Sequence, residues 1–162
     1  MLVRTTVDFL EEHYGPLADR TALELGCGVG RFTGPLAMQA KHVIAVDFNK
    51  RMLNRNRDAT KDYRNITHVY SSIAELDLAR YFDLVFEAVT LMHIADSEEY
   101  RRSVENMKRY GDSIFVCEHV GNDYMWSPFS VLRSRQTYER DFLPFELKAL
   151  KEFKYVEDVY NL

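Results

Sequence analysis

Short apolar runs alternate with longer amphipathic segments along the chain. Five of the runs have the length and the Val, Ile, Leu and Phe content of buried strands, and they cover Thr21–Leu25, His42–Val46, Ile66–Tyr70, Phe82–Phe86 and Ser113–Cys117. The segments between them repeat apolar residues at helical spacing. This alternation predicts βαβ units with right-handed crossovers, and therefore an α/β fold with a doubly wound, mostly parallel sheet.

Cap residues mark where several of the helices begin and end. Asn49 is a favourable N-cap, and Asp96 followed by Glu99 has the pattern of a capping box. Gly15-Pro16 and Gly111 stop the helices that precede them. The predicted helices cover Leu2–Tyr14, Phe32–Ala40, Asn49–Thr60, the segment from Asp96 to Gly111, Tyr138–Phe142 and Phe145–Leu150, and Phe153–Tyr160 is predicted as a last strand.

The chain is expected to form a single domain over residues 1–162. With 162 residues, of which 46% are apolar, it can bury a full hydrophobic core. Residues 1–20 are predicted as an N-terminal helical segment. Residues 121–136 combine glycine, proline and aromatic residues and are predicted as a lid or substrate loop. A sheet of about six strands leaves an exposed edge, from which a homodimer is expected.

Charge and cysteine content exclude several kinds of partner. The net charge of -4 and the pI of about 5.7 argue against a nucleic-acid partner, which a basic surface would attract. Cys27 and Cys117 lie in a glycine loop and an apolar run, so neither belongs to a disulfide framework. The sequence has neither an apolar run long enough for a membrane span nor a leader pattern. These observations predict a soluble, cytoplasmic protein without a membrane partner.

Acidic residues stand at or beside the carboxyl ends of four of the five predicted strands: Glu24, Asp47, Glu87 and Glu118. In an open α/β sheet, ligands bind outside the carboxyl ends of the strands, near the switch in strand order. The first of these ends leads into three alternate glycines, Gly26, Gly28 and Gly30, and then into a helix. Such a turn lets a ligand approach the backbone closely and presents free N–H groups to it. We therefore expect a shared polar cleft at this edge.

The glycine spacing excludes two common nucleotide-binding patterns. A dinucleotide fingerprint needs a further glycine where this chain has Arg31 or Thr33. A P-loop needs a Gly-Lys-Ser/Thr ending, which the sequence lacks. The chain instead has an acidic residue, three alternate glycines and a second acidic residue, Asp47, 17 positions after Gly30.

This pattern resembles the class I, Rossmann-like S-adenosylmethionine-dependent methyltransferases, in particular their small-molecule branch. The resemblance covers residues 21–119 in order. Leu23–Gly30 resembles the first motif of the family, Val43–Phe48 the second, and Phe82–Phe86 with Leu91–Ile94 the fourth. The full family sheet has seven strands, so a chain that stops after about six has either an abbreviated fold or a shortened sequence.

The resemblance implies a site for S-adenosylmethionine, with S-adenosylhomocysteine as the product. The glycines would lie against the methionine end of the cofactor, and Asp47 would accept hydrogen bonds from both ribose hydroxyls. Phe48 and Met52 would pack against the adenine, unless they are core residues, and Glu87 would contact the amino-acid portion, unless it is a simple cap. The implied cofactor residues are Glu24, Gly26, Cys27 as a small space-filling residue, Gly28, Gly30, Asp47, Phe48, Met52, Ser72, Ile73 and Glu87. Ser72 and Ile73 stand where many family members have an aspartate.

Methyl transfer needs the donor and acceptor atoms in line and water excluded, and it needs a general base only for some acceptors. His93 is the first candidate base because imidazole titrates near neutral pH, with His119 and Glu118 second. The alternative is that His93 has a structural role. No metal is expected, because the acidic residues are assigned to the cofactor.

Residues 121–136 also hold candidate substrate-binding residues. Tyr124 and Trp126 are suited to shape an acceptor pocket, and Arg133 and Arg135 to bind a carboxylate or phosphate of the acceptor. The alternative is that all four pack or decorate an insertion.

The sequence therefore predicts methyl transfer from S-adenosylmethionine to an oxygen or nitrogen of a small-molecule acceptor. Two alternatives stay open. One is a non-catalytic S-adenosylmethionine-binding module that works with a partner subunit. The other is aminopropyl transfer from a decarboxylated cofactor, which would need a further acidic cluster to hold a polyamine.

Overall fold

The computed structural model describes residues 2–152. Its centre is a five-stranded parallel sheet in the order β3-β2-β1-β4-β5, which confirms the predicted α/β class. The strands are β1 (Thr21–Leu25), β2 (His42–Asp47), β3 (Ile66–Tyr70), β4 (Leu84–Ala88) and β5 (Ile114–Cys117). The helices are α1 (Leu2–Tyr14), α2 (Thr33–Gln39), α3 (Lys50–Ala59), α4 (Ser97–Tyr110) and α5 (Arg135–Asp141). A short 3-10 turn, Leu91–His93, lies between β4 and α4.

The two faces of the sheet bury different side chains, because neighbouring residues of a strand point to opposite faces. One face packs against α4, through a buried set that includes Leu23, Leu25, Val85, Val104 and Met107. The other packs against α1 and α2, through a set that includes Leu10, Ala22, Leu36, Leu84 and Phe86. Both faces are therefore covered, as the nearly continuous apolar strands require. None of the helices between residues 2 and 152 has the length and apolar character needed to cross a membrane.

The strand order reverses between β1 and β4. From β1 the chain moves outward to β2 and β3, and it returns to the other side of β1 at β4. These two strands pair directly, with Leu25 opposite Glu87. In open α/β sheets, ligands bind at the carboxyl edge beside such a reversal of strand order. The glycine turn that follows β1 lies at this point.

Two of the predicted elements that differ from the structure are the fourth strand and the helix over Phe145–Leu150. β4 begins at Leu84, because Phe82 forms only an isolated bridge with Gly111. Phe145–Leu150 has no regular secondary structure, so the predicted helix is wrong. Leu147 and Leu150 are exposed there, and a short helix without a packing surface for its apolar face is not stable. The predicted strand Phe153–Tyr160 lies outside the described residues.

Residues 121–136 form an ordered hairpin and not an irregular loop. Strands β6 (Tyr124–Ser127) and β7 (Ser130–Leu132) pair antiparallel, and α5 follows directly. Met125, Trp126 and Phe129 are exposed on this hairpin. The hairpin thus has an ordered base and an apolar, exposed tip.

Candidate active site

The glycine turn after β1 is closely packed on two sides and open on a third. Gly26, Gly28 and Gly30 all have positive φ, at 68°, 52° and 95°. A Cβ at Gly26 would lie 2.2 Å from Thr90 Oγ1, and one at Gly30 would lie 3.0 Å from Asn56 Oδ1. A Cβ at Gly28 would meet nothing within 4 Å. Gly28 therefore faces the space in which a ligand can approach the backbone.

Asp47, the last residue of β2, holds this glycine turn in place. Its Oδ2 accepts a hydrogen bond from Gly28 N at 2.8 Å, and its Oδ1 accepts one from Asn49 N at 2.7 Å. Each carboxylate oxygen can accept a further hydrogen bond. Asp47 and Gly28 thus form one joined site across the ends of two neighbouring strands.

Glu24 lies beneath the glycine turn at the start of a buried hydrogen-bond chain. Thr33 Oγ1 donates to Glu24 Oε2 at 2.6 Å, and Asn56 Nδ2 donates to Thr33 Oγ1 at 2.8 Å. His68 Nε2 then donates to Asn56 Oδ1 at 3.0 Å. Burial raises the pKa of Glu24 to about 8, and the charge of Asp47 adds to the rise while the bond from Thr33 opposes it. Glu24 is therefore neutral near pH 7 in the free protein.

Cys27 lies within the same turn and is buried. Burial, reinforced by the charges of Glu24 and Asp47, raises the pKa of its thiol far above the usual range. The side chain thus stays a neutral thiol that fills space.

Glu87 and Glu118, at the ends of β4 and β5, form a buried carboxyl pair. Burial raises the pKa of Glu87 well above its usual range, and Glu118 adds to the rise through its charge and a side-chain hydrogen bond. The Oε2 atoms of both residues are buried without any other partner among the described residues. A proton held by Glu87, whose pKa is raised, would let the two carboxyls satisfy each other.

The remaining oxygens of this pair hold the 3-10 turn after β4. Glu87 Oε1 accepts from Thr90 N at 2.6 Å and from Leu91 N at 3.2 Å. Glu118 Oε1 accepts from Thr90 N at 2.9 Å and from Met92 N at 3.1 Å. The first N–H groups of the turn, which have no partner within the turn itself, are thus satisfied by two buried carboxyl groups.

Arg133 holds the opposite end of the same turn. Its Nη1 donates to Leu91 O at 2.8 Å and its Nη2 donates to Ile94 O at 2.7 Å. The guanidinium lies 3.6 Å from the ring centroid of Tyr100, and the residue is only 6% exposed. Arg133 was expected to bind the acceptor, but in this structure both terminal nitrogens bind the backbone of the chain itself.

His93, the last residue of the 3-10 turn, is exposed and lies next to the hairpin. Its Nδ1 is 3.0 Å from Ser130 Oγ, at the start of β7. Thr90 connects the same turn to the glycine loop, because Thr90 Oγ1 donates to Gly26 O at 3.4 Å. His93 therefore stands one short turn away from the glycine loop. Its prediction as a general base stays a prediction.

The other predicted cofactor residues lie in different environments. Phe48 is 68% exposed directly after Asp47, and Met52 is half-buried on α3. Ser72 Oγ accepts from Glu75 N at 3.2 Å, and Ile73 is buried in the core. Phe48 is free to cover a ligand, whereas the side chain of Ile73 is not.

The remaining predicted substrate-binding and catalytic residues lie on the hairpin, on α5 and beyond the end of β5. Tyr124 and Trp126 lie on the hairpin, and Trp126 is 64% exposed. Arg135 forms an exposed ion pair with Glu139 at 2.6 Å. His119 is half-buried beyond the end of β5. Among residues 2–152, no three His, Cys, Asp or Glu side chains gather in the way that metal ligands do.

Sequence reasoning missed Thr90 and Ser130, although both define the site. Thr90 fills the space above Gly26, and Ser130 contacts the ring of His93. Neither residue type is distinctive by itself. The glycine at position 26 was the sequence signal available, and it does not identify the neighbour.

An open α/β sheet with a glycine turn at its topological switch, tied to a carboxylate at the end of β2, defines a domain of the class I methyltransferase type. Residues 22–111, more than half of the chain, match the family described as "Methyltransferase domain". The chain therefore belongs to this methyltransferase domain family.

Curated relatives and solved structures agree with this assignment. The chain is 32% identical to phosphoethanolamine N-methyltransferase 1 of Zea mays over 88% of its length, and 32% identical to nodulation protein S of Rhizobium tropici over 69%. It spans about a third of the first protein (32%) and about half of the second (48%).

Among solved structures, the N-methyltransferase NodS of Bradyrhizobium japonicum WM9 in complex with S-adenosylhomocysteine aligns with a TM-score of 0.60 at 28% identity. The alignment covers 66% of this chain and 54% of that one. Magnesium protoporphyrin IX methyltransferase of Synechocystis PCC 6803 aligns with a TM-score of 0.70 at 19% identity, over 86% of this chain and 64% of that one. The second likeness shows the shared fold.

Replacing Glu24 by Gln is expected to flatten the pH dependence of stability. Because folding raises the pKa of Glu24 from 4.5 to about 8, its stabilising contribution is complete below pH 4.5 and is lost as pH rises through 8. The free energy of unfolding of the wild type should fall relative to Glu24→Gln by roughly 1 kcal/mol per pH unit across this window. Urea denaturation between pH 5 and pH 8.5 measures the difference. Glu75→Gln, at an exposed position, is the control, and parallel curves for wild type and Glu24→Gln would contradict the assignment.

Replacing Gly26 by Ala is expected to destabilise the protein more than replacing Gly15 by Ala. Both residues have positive φ, but only at Gly26 would the new Cβ collide with another side chain, that of Thr90. The Gly15 variant should lose about 1 kcal/mol from backbone strain alone. The Gly26 variant should lose about 1–3 kcal/mol more from overpacking. Equal losses in denaturant titrations would show that Thr90 does not pack on the glycine turn.

Proposed function

We propose that this domain transfers a methyl group from S-adenosylmethionine to a nitrogen or oxygen of a small molecule. The observation that carries the proposal is the joined site of Gly28 and Asp47 at the topological switch of the sheet. An open glycine backbone and a carboxylate with spare acceptor capacity fit a ligand that carries both a ribose diol and a methionine portion.

The chain offers a separate group for each part of the cofactor. Asp47 is suited to the ribose hydroxyls and the exposed ring of Phe48, with Met52, to the adenine. Gly28 is suited to close backbone contact, and the end of β4 at Glu87 to the amino-acid portion. Glu24 supports the turn from below through Thr33. Ser72 and the backbone of Ile73 complete the proposed adenine contacts.

When bound, S-adenosylmethionine supplies an electrophilic methyl group. The protein has to hold the acceptor atom in line with that methyl group and to exclude water. The 3-10 turn that ends at His93 follows Thr90, which bonds to Gly26, and this supports a role for His93 near the cofactor. The exposed Tyr124 and Trp126 of the hairpin are suited to cover an acceptor. Arg133 serves to hold the turn, and the exposed Arg135 would have to exchange its partner Glu139 for an anionic acceptor.

The relatives favour nitrogen as the acceptor atom. Phosphoethanolamine N-methyltransferase and NodS are both named as N-methyltransferases. An amine needs only to lose its proton before it attacks, and proximity then provides much of the acceleration. We further propose a cytoplasmic location, consistent with two free cysteines, and a homodimer formed through an exposed edge of the sheet.

A second candidate function is a non-catalytic module that binds S-adenosylmethionine for a partner subunit. The joined site of Gly28 and Asp47 would bind the cofactor in such a module as well.

A transfer assay with methyl-labelled S-adenosylmethionine and a library of small amines, alcohols and phenols separates the two functions. We expect label in at least one amine, with the rate reduced on the order of 100-fold or more when Asp47 is replaced by Ala. Label transfer to no acceptor, with the cofactor still bound, would favour the non-catalytic module. Binding of decarboxylated S-adenosylmethionine in preference to the intact cofactor would indicate aminopropyl transfer instead.

A further inference from the structure

Ser130 and His93 form a hydrogen bond that joins the hairpin to the turn after β4. Ser130 Oγ lies 3.0 Å from His93 Nδ1, and Ser130 is only 4% exposed. His93 itself is exposed, so its Nε2 side is turned away from this contact. The bond therefore decides which nitrogen of the neutral ring carries the proton.

The proton in this bond is assigned by the needs of the buried hydroxyl. Within residues 2–152, the partner that the structure gives Ser130 Oγ is His93 Nδ1. If His93 donated from Nδ1, the hydroxyl proton of Ser130 would be buried without an acceptor, which costs about 1–3 kcal/mol. If Ser130 donates to Nδ1, both groups are satisfied. The second arrangement is therefore the favoured one.

We infer that Ser130 fixes neutral His93 as the Nε2–H tautomer, so that His93 offers the acceptor molecule a hydrogen-bond donor and not a base. The inference rests on the proposed function only in naming the acceptor molecule as the partner of the Nε2–H group. In the favoured tautomer, Nδ1 is occupied by Ser130 and Nε2 already carries its proton. His93 then orients the acceptor by donating to a lone pair next to the reacting atom.

The surroundings of His93 keep the ring in this orientation. The turn that carries it is held at one end by the Glu87–Glu118 carboxyl pair and at the other by the guanidinium of Arg133. Asp96, the N-cap of α4, is engaged with Glu99 N at 2.7 Å. Among residues 2–152, the partner that the structure gives Nδ1 is the hydroxyl of Ser130, and not the carboxylate that orients a histidine acting as a base.

The inference also narrows the class of acceptor. The molecule must carry an oxygen or other lone-pair acceptor beside the atom that is methylated. The methylated atom must lose its proton to solvent or arrive without it. An amine with a neighbouring hydroxyl, carboxylate or phosphate oxygen meets both requirements.

The tautomer can be measured without any substrate. In protein labelled with ¹⁵N-histidine, two-bond ¹H–¹⁵N correlation spectra above the titration range identify the protonated nitrogen of His93, assigned by its loss in His93→Gln. We expect protonated Nε2 in the wild type and in Ser127→Ala, a matched serine on the same hairpin whose Oγ accepts from Phe129 N. Ser130→Ala should change the Nδ1 shift, and Ser130→Thr should restore it. Protonated Nδ1 in the wild type would overturn the inference.

Replacing His93 by Gln and by Ala separates the donor role from the base role. The side-chain amide of Gln can donate a hydrogen bond from about the position of Nε2, but it cannot accept a proton in catalysis. We expect kcat/KM of His93→Gln to stay within about tenfold of the wild type, while His93→Ala loses on the order of 100-fold. Equal and large losses in both variants would show that His93 is a base. Full activity in both variants would show that His93 has no role in the reaction, and the proposed methyl transfer would still stand. If the wild type transfers no methyl group, the proposed function fails, and the spectra still test the Ser130 bond.

Discussion

Carboxyl groups at the ends of the parallel strands hold the loops that form the ligand edge of this domain. Asp47 accepts from the backbone of the glycine turn, and Glu87 and Glu118 accept from the turn after β4. Backbone N–H groups in such loops have no partner in regular secondary structure, and leaving them buried and unsatisfied is costly. The strand-end acids satisfy them, and the loops keep the shape that a ligand needs.

The same groups are not equivalent electrostatically. Burial raises the pKa of Glu24 to about 8 and raises the pKa of Glu87 well above its usual range. Asp47 is itself only 8% exposed, but it bonds to Gly28, where a Cβ would meet nothing within 4 Å. Glu24, Glu87 and Glu118 thus support the framework, while Asp47, beside the open backbone of Gly28, is the acid that we propose recognises the cofactor.

The α/β class, the β1 and β3 boundaries and the first helix could be predicted because their signals are local. Apolar runs such as Thr21–Leu25, and caps such as Asn49 and Asp96, determine structure within a few residues. The hairpin at residues 124–132 could not, because its strands are short and exposed and its composition is that of a loop. Phe145–Leu150 had helical spacing but no surface on which to pack.

The sequence motif of the candidate site could be predicted, but the side-chain contacts around it could not. The alternate glycines and Asp47 lie close together in sequence and in the fold. Arg133 and Ser130, in contrast, reach the turn after β4 from 42 and 37 positions away, and nothing in their local sequence reveals those partners. Arg133, expected to bind the acceptor, meets the backbone of the turn for this reason.

Calorimetric titration of S-adenosylhomocysteine into the wild type and Asp47→Ala, with the exposed Asp62→Ala as control, tests the central claim most directly. This product of the proposed reaction binds without turnover, so its affinity reports the site alone. We predict one bound ligand per chain in the wild type and the control, and at least tenfold weaker binding in Asp47→Ala, a loss of about 1.4 kcal/mol or more. No binding to the wild type, or equal affinity in all three proteins, would contradict the assignment of this edge as a cofactor site.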